Sequence, residues 1–247
     1  YRKAIAVEPA YWGAQAALGS HLFQRGRIGE AAIALRKVTE LVPSRANAWS
    51  NLGGALQMEG DFSKAVEAYN RSLQLEPSKD AYSNLATSYF YLGQFAAAVA
   101  QYERAAALGE HDHVIQGNLG DALWQVEGRR NEAIARYRRA ILLAETELEA
   151  RPADAALHAQ LGYYYGRVGD QDQSGRQLSE ALAAGPELLY VQYFVGVSAA
   201  DKGDRETALQ AVTALVRLGF PLALLRSAPE FRSLLQDAEY KKIIGAS

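Results

Sequence analysis

An all-α fold of antiparallel helix hairpins stacked as a solenoid, closed by a C-terminal capping helix pair, is predicted by three observations in the 247-residue sequence. A short pattern returns about every 34 residues. Apolar residues on both sides of its central glycine fall at helical spacing. No stretch alternates with period two for long enough to compete as a strand.

The pattern opens with leucine or valine beside a small residue, at Leu18-Gly19, Leu52-Gly53, Leu85-Ala86, Leu119-Gly120, Leu161-Gly162 and Val195-Gly196. A glycine follows at Gly26, Gly60, Gly93, Gly128, Gly169 and Gly203, then a small residue at Ala31, Ala65, Ala98, Ala133, Ser174 and Ala208. In the second copy Leu52, Leu56, Ala65, Val66 and Tyr69 mark two amphipathic helices, A before the glycine and B after it. A left-handed glycine ends helix A, and the loop is short, so B returns antiparallel. The small residues belong where A and B come closest, since larger side chains would push the pair apart. Pro43, Pro77, Pro152 and Pro186 fit the turn after helix B but would break its interior.

Composition narrows the function. With no cysteine there is no disulfide framework, thiolate metal site or cysteine nucleophile. The 26 basic and 28 acidic residues are interleaved, so no extended positive surface offers itself to a nucleic acid. No apolar run approaches the eighteen or so residues that cross a bilayer. The compartment is left open, cytoplasmic being favoured and periplasmic allowed if a parent protein is membrane-anchored.

The run Trp49-Ser50-Asn51-Leu52-Gly53, followed by Gly60, Ala65, Tyr69 and Pro77, resembles the tetratricopeptide repeat (TPR) family. The resemblance covers about residues 12–219 and implies a right-handed TPR solenoid of six repeats. Residues 1–11 have the register of a helix B and exit turn, ending near Pro9. Because Tyr1 is not a methionine, the chain is expected to be a segment of something longer, with at least one repeat upstream. The third copy is one residue short at its start and exits without proline. The fourth has an extended helix B, about residues 141–151. Its seven extra residues are two turns, roughly 10 Å, and preserve the packing face. Residues 220–247 are expected to cap the last hydrophobic face, with short helices at 220–225 and 228–235 and a charged tail at 239–242. Such an ending is similar to the C-terminal TPR region of bacterial multidomain signalling proteins that carry a Ser/Thr kinase, nucleotide cyclase or winged-helix regulator domain.

In a stack of hairpins the A helices line the concave face. The residue just before each Leu-small pair points there: Asn51, Asn84 and Asn118 in three consecutive copies, and Gln160 in the fifth. An amide both donates and accepts, so a row of them can pair with an extended peptide backbone. This is similar to the asparagine ladder of superhelical TPRs. The alternative is that these amides bond water or a neighbouring helix. One turn along the same groove-facing helices stand Thr87, Asp121 and Tyr163, then Phe90, Tyr91, Trp124 and Arg167; the aromatics are candidate pockets for a partner's apolar groups, with packing on adjacent helices the alternative for Phe90 and Trp124. Residues 47–59, 81–92 and 114–126 contain no lysine or arginine, which disfavours a two-carboxylate clamp there. A polar or basic peptide suits that groove better.

Chemistry is not indicated. His111 and His113 flank Asp112 without a third ligand at usable spacing and read as a solvated turn, while His21 and His158 on A helices read as packing or groove-lining. The run Arg136-Tyr137-Arg138-Arg139 reads as a solvated convex face. No phosphate loop, nucleophile elbow or kinase signature occurs. No cofactor, metal or catalytic residue is expected. Two functions follow: a scaffold that binds a protein or extended peptide in its groove, or a regulatory segment of a larger signalling enzyme such as a Ser/Thr kinase, docking intramolecularly or forming a homodimer.

Overall fold

A computed structural model describes residues 1–245, apart from the Arg2 side chain. The last two residues of the expected cap, 246 and 247, therefore lie outside the described residues. The chain divides into two compact units, Tyr1–Gly109 and Glu110–Ser247.

The first unit begins with the short α1 (Arg2–Val7), which rests on α2. Three hairpins follow: α2 (Trp12–Gln24) with α3 (Ile28–Leu41), α4 (Ala46–Glu59) with α5 (Phe62–Leu75), and α6 (Lys79–Tyr91) with α7 (Phe95–Leu108). Within each pair the helices pack along their length, and α3 on α4 and α5 on α6 stack the hairpins in chain order. Leu35, Leu52, Leu56, Tyr69 and Leu85 join in one core drawn from four consecutive helices.

The second unit holds α8 (His113–Trp124) with α9 (Arg130–Ala150), α10 (Ala155–Val168) with α11 (Gln171–Ala184), and α12 (Leu189–Lys202) with α13 (Arg205–Arg217). Here α10 packs on both α9 and α12. The capping pair is α14 (Leu222–Ser227) and α15 (Ala238–Ile243), with a 3₁₀ turn, Pro229–Leu234, between them. The sequence placed the second capping helix at 228–235 and a charged tail beyond it. Instead Asp237 starts a helix there, its Oδ1 accepting the Glu239 and Tyr240 N–H groups at 2.9 and 3.1 Å. Tyr240 is wholly buried, and its hydroxyl donates to the Leu225 carbonyl at 2.9 Å.

The six hairpin glycines have φ between +70° and +93°, the left-handed conformation that lets helix A stop and the chain turn back. A different demand fixes the glycine beside the leucine. A Cβ on Gly53 would lie 2.8 Å from the Tyr69 ring, and one on Gly120 would lie 2.8 Å from Tyr137. The closing prolines also have a recurring partner. The side chain six residues on bonds the proline carbonyl in three copies: Trp49 Nε1 to Pro43 O at 2.9 Å, His158 Nε2 with Pro152 O at 3.0 Å, and Gln192 Nε2 to Pro186 O at 2.7 Å. In the third copy the missing residue puts Ser83 at that offset from Pro77. There the Ser78 hydroxyl caps α6 instead, accepting the Ala81 N–H at 3.2 Å.

Helix α9 runs for 21 residues against 14 in α5 and α11. Its added turns are held from two sides. Glu147 Oε1 lies 3.7 Å from His113 Nε2 at the start of α8, and the Tyr165 hydroxyl of α10 donates to Glu145. His113 is therefore buried rather than part of a solvated turn, and burial pulls its imidazole below the ordinary histidine value despite the neighbouring Glu147 carboxylate.

Candidate functional site

On each A helix the leucine of the Leu-small pair turns into the hairpin, so the preceding side chain is carried around to the outward face. Asn51 on α4 and Asn84 on α6 are exposed in the first unit; Asn118 on α8 and Gln160 on α10 are partly exposed in the second. None of the four amides hydrogen-bonds another described protein group. Each unit thus presents two amides with donors and acceptor unspent.

The next turn of the same helices behaves differently. Thr87 is engaged twice, its hydroxyl 3.0 Å from the Ser83 carbonyl and 2.7 Å from the Tyr102 hydroxyl. Tyr91 stacks on Phe62 at 5.0 Å between centroids, and Phe90 is buried. Asp121 Oδ1 accepts from the Tyr137 hydroxyl at 2.6 Å and the Tyr163 hydroxyl at 2.5 Å. Tyr163 is only 2% exposed. Of the residues expected to face the groove freely, Thr87, Asp121 and Tyr163 are therefore held within the stack. Trp124 stays partly exposed, with the guanidinium carbons of Arg130 and Arg167 at 3.9 and 4.1 Å from its ring centroid.

Asp121 anchors a polar cluster that the sequence reading missed. Arg167 Nε donates to the Tyr137 hydroxyl at 3.1 Å, and its Nη1 pairs with Asp201 at 2.8 Å. Burial lifts the Asp121 carboxyl above the ordinary aspartate value, against the pull of Arg167, Tyr137 and Tyr163. Burial would lower the Arg167 guanidinium, but the Tyr163 and Tyr137 hydroxyls and the Asp121 and Asp201 carboxylates outweigh it and hold the charge. Tyr137 is wholly buried, not part of a solvated face. The signal that could have found it is register: it falls where the other copies have the buried Tyr69 and Tyr102. Beside the cluster, Tyr193 donates to Glu230 Oε1 at 3.0 Å, and burial pushes the Glu230 carboxyl up to about 7.

The histidines do not converge. Among the described residues no three His, Asp or Glu side chains are grouped to hold a metal ion. His158 is occupied on both ring nitrogens, by Gln177 at 2.7 Å and the Pro152 carbonyl.

Tetratricopeptide repeat models match residues 44–111, and residues 1–44 with 83–155, so that together they cover the chain from 1 to 155. The chain belongs to the tetratricopeptide repeat family. An Hsp70-Hsp90 organizing protein of Triticum aestivum is 31% identical over 107 residues, 43% of this TPR chain and 18% of that protein. The BBSome complex member BBS4 of Bos taurus is 25% identical over 187 residues, 74% of this chain and 34% of the other. The matched stretches of the chain thus span only 18% and 34% of the length of these relatives. Among solved structures, the APC/C hetero-tetramer Cut9-Hcn1 matches with a TM-score of 0.64 at 18% identity, over 99% of this chain and 44% of that one. YrrB, described as a TPR protein with an unusual peptide-binding site, matches with a TM-score of 0.51 at 20% identity, over 78% and 95%. At these identities the likeness is one of fold. Among the described residues no helix is long and apolar enough to cross a membrane.

Proposed function

We propose that this TPR chain is a non-catalytic scaffold that holds extended peptide segments of partner proteins along the A helices of its units. The TPR fold is in general that of protein-interaction scaffolds. The observation carrying the finer reading is the set of amides at one height on successive A helices, Asn51 with Asn84 and Asn118 with Gln160, none spent on the protein itself. Buried polar groups are paired almost without exception, whereas these four stand at the surface with both functions available. YrrB, similar in fold, is itself described as a TPR protein with an unusual peptide-binding site.

Each such bond contributes roughly 0.5–1.5 kcal/mol net, so losing two costs on the order of fivefold to a hundredfold in affinity. Peptides selected from a random display library against the chain should lose that much on Asn51→Ala with Asn84→Ala, or on Asn118→Ala with Gln160→Ala, while helicity and Tm stay unchanged. Selected peptides that bind all the variants equally would contradict the reading. If the chain instead serves self-association in a larger signalling protein, light scattering would show a concentration-dependent dimer that these substitutions leave intact.

A further inference from the structure

In the second unit the ends of α8, α10 and α12 and the start of α9 surround a cleft of about 500 Å³. Its walls include Trp124, Arg130, Arg167, Ser198, Asp201 and Lys202. Among these, three are cations and one, Asp201, is an anion, with Asp121 behind Arg167 as a second carboxylate. Arg167 pairs with Asp201 at 2.8 Å, which leaves Arg130 and Lys202 without a carboxylate partner among the described residues. Lys202 Nζ reaches only the Ser174 hydroxyl, at 3.4 Å.

A second observation points to a ligand. Ser198 is 5% exposed, and its Oγ has no hydrogen-bond partner. A serine within a helix can turn its hydroxyl back to the carbonyl four residues earlier. Ser198 does not: its Oγ is buried and unpaired in a residue that lines the same cleft as Arg130 and Lys202.

We propose that this cleft receives a carboxylate side chain from an acidic segment of a partner polypeptide, with Arg130, stacked on Trp124, and Lys202 supplying charge, Ser198 a hydrogen bond and Ile134 an apolar wall. The aliphatic lining at Ile134 and Val168 suits the methylene groups that carry a glutamate carboxylate better than a bare oxyanion. The inference rests on the scaffold reading and adds the chemistry of the partner. It also changes the expectation of a basic or merely polar peptide, which came from residues 47–59, 81–92 and 114–126. The cations here come from α9, α10 and α12, outside those stretches. Arg167 and Lys202 lie at the C-terminal ends of their A helices and Arg130 at the start of a B helix, unlike a clamp built beside the asparagines.

The chain has three tryptophans, Trp12, Trp49 and Trp124, so 5-fluorotryptophan labelling gives each one fluorine resonance to follow. Titration with acetyl-tetraglutamate amide at low salt should move the Trp124 resonance saturably and leave the other two in place, with binding weakened as salt rises. Acetyl-tetraglutamine amide should do nothing. Arg130→Gln with Lys202→Gln should abolish the shift. Ser198→Ala should weaken binding about tenfold while Tm holds or rises, because it removes a buried hydroxyl that had no partner; a merely structural serine would show the reverse. If Trp124 does not respond while the amide variants still lose selected peptides, the cleft assignment falls and the scaffold reading stands. Loss of neither kind of binding to its variants overturns both. Glutarate or inorganic phosphate moving Trp124 as well as the tetrapeptide does would assign the cleft to free anions and overturn a polypeptide partner.

Discussion

Asp121 separates structural from binding residues most clearly. On sequence it stands one helical turn from Asn118 and reads as a groove contact, yet it receives two tyrosine hydroxyls and faces Arg167. Asp121→Asn is expected to lower stability by about 1–3 kcal/mol, the scale of disrupting charged hydrogen bonds, with little effect on the affinity of selected peptides. Thermal melts beside peptide titration would check this, and a Tm left in place with binding lost would restore the groove role. Glu230 gives a pH signature. Folded, it keeps its proton to about pH 7, whereas an unfolded glutamate releases it near 4.5. Between those values the folded state binds more protons, so stability falls as pH rises through that window. Glu230→Gln should flatten that decline and raise Tm relative to the parent above pH 7. His113, lowered by burial, contributes in the opposite sense, its share being lost as pH falls below about 6.5, so the comparison is made between the two proteins at each pH. Equal pH profiles for both would exclude the assignment. The amides were legible because they sit at a fixed offset from a repeated Leu-small pair. The Asp121 cluster was not, because its members come from four helices and meet only through packing between hairpins.

At the scale of elements, the hairpins were legible to within a few residues because glycine, leucine and proline each impose a local constraint that recurs. The long α9 was legible by its length. What holds its added turns was not, since the contacts from His113 and Tyr165 cross from other helices. The cap was only half legible. A proline at 229 and an aspartate at 237 cut the run into a 3₁₀ turn and a new helix, and hydrophobic residues such as Phe231 and Leu234 fit either arrangement. Tyr240 is the anchor of α15, wholly buried and bonded to Leu225. Tyr240→Ala should cost about 3–5 kcal/mol, the range for deleting a buried aromatic, and should increase protease cutting within residues 220–245 before the rest of the chain. Uniform cleavage along the chain would show that the cap does not open as its own element.

For the molecule as a whole, a chain made of near-neighbour contacts has stability spread among its hairpins and a large area of helix face left for recognition. The repeat register predicts that face, but the sequence alone could not say which of its residues are consumed internally. In each unit the tier at Asn51, Asn84, Asn118 and Gln160 is left unspent, and the tier beyond it is mostly engaged. The division at Gly109 coincides with the one hairpin exit the sequence leaves without proline. The most direct measurement is the NMR response of side-chain amide groups to a selected peptide. The NH₂ resonances of Asn51, Asn84, Asn118 and Gln160 should shift with occupancy, while that of Gln57, which holds the buried Tyr69 hydroxyl at 3.1 Å, should stay in place. Saturating peptide that leaves all four unmoved would contradict binding through the A-helix amides.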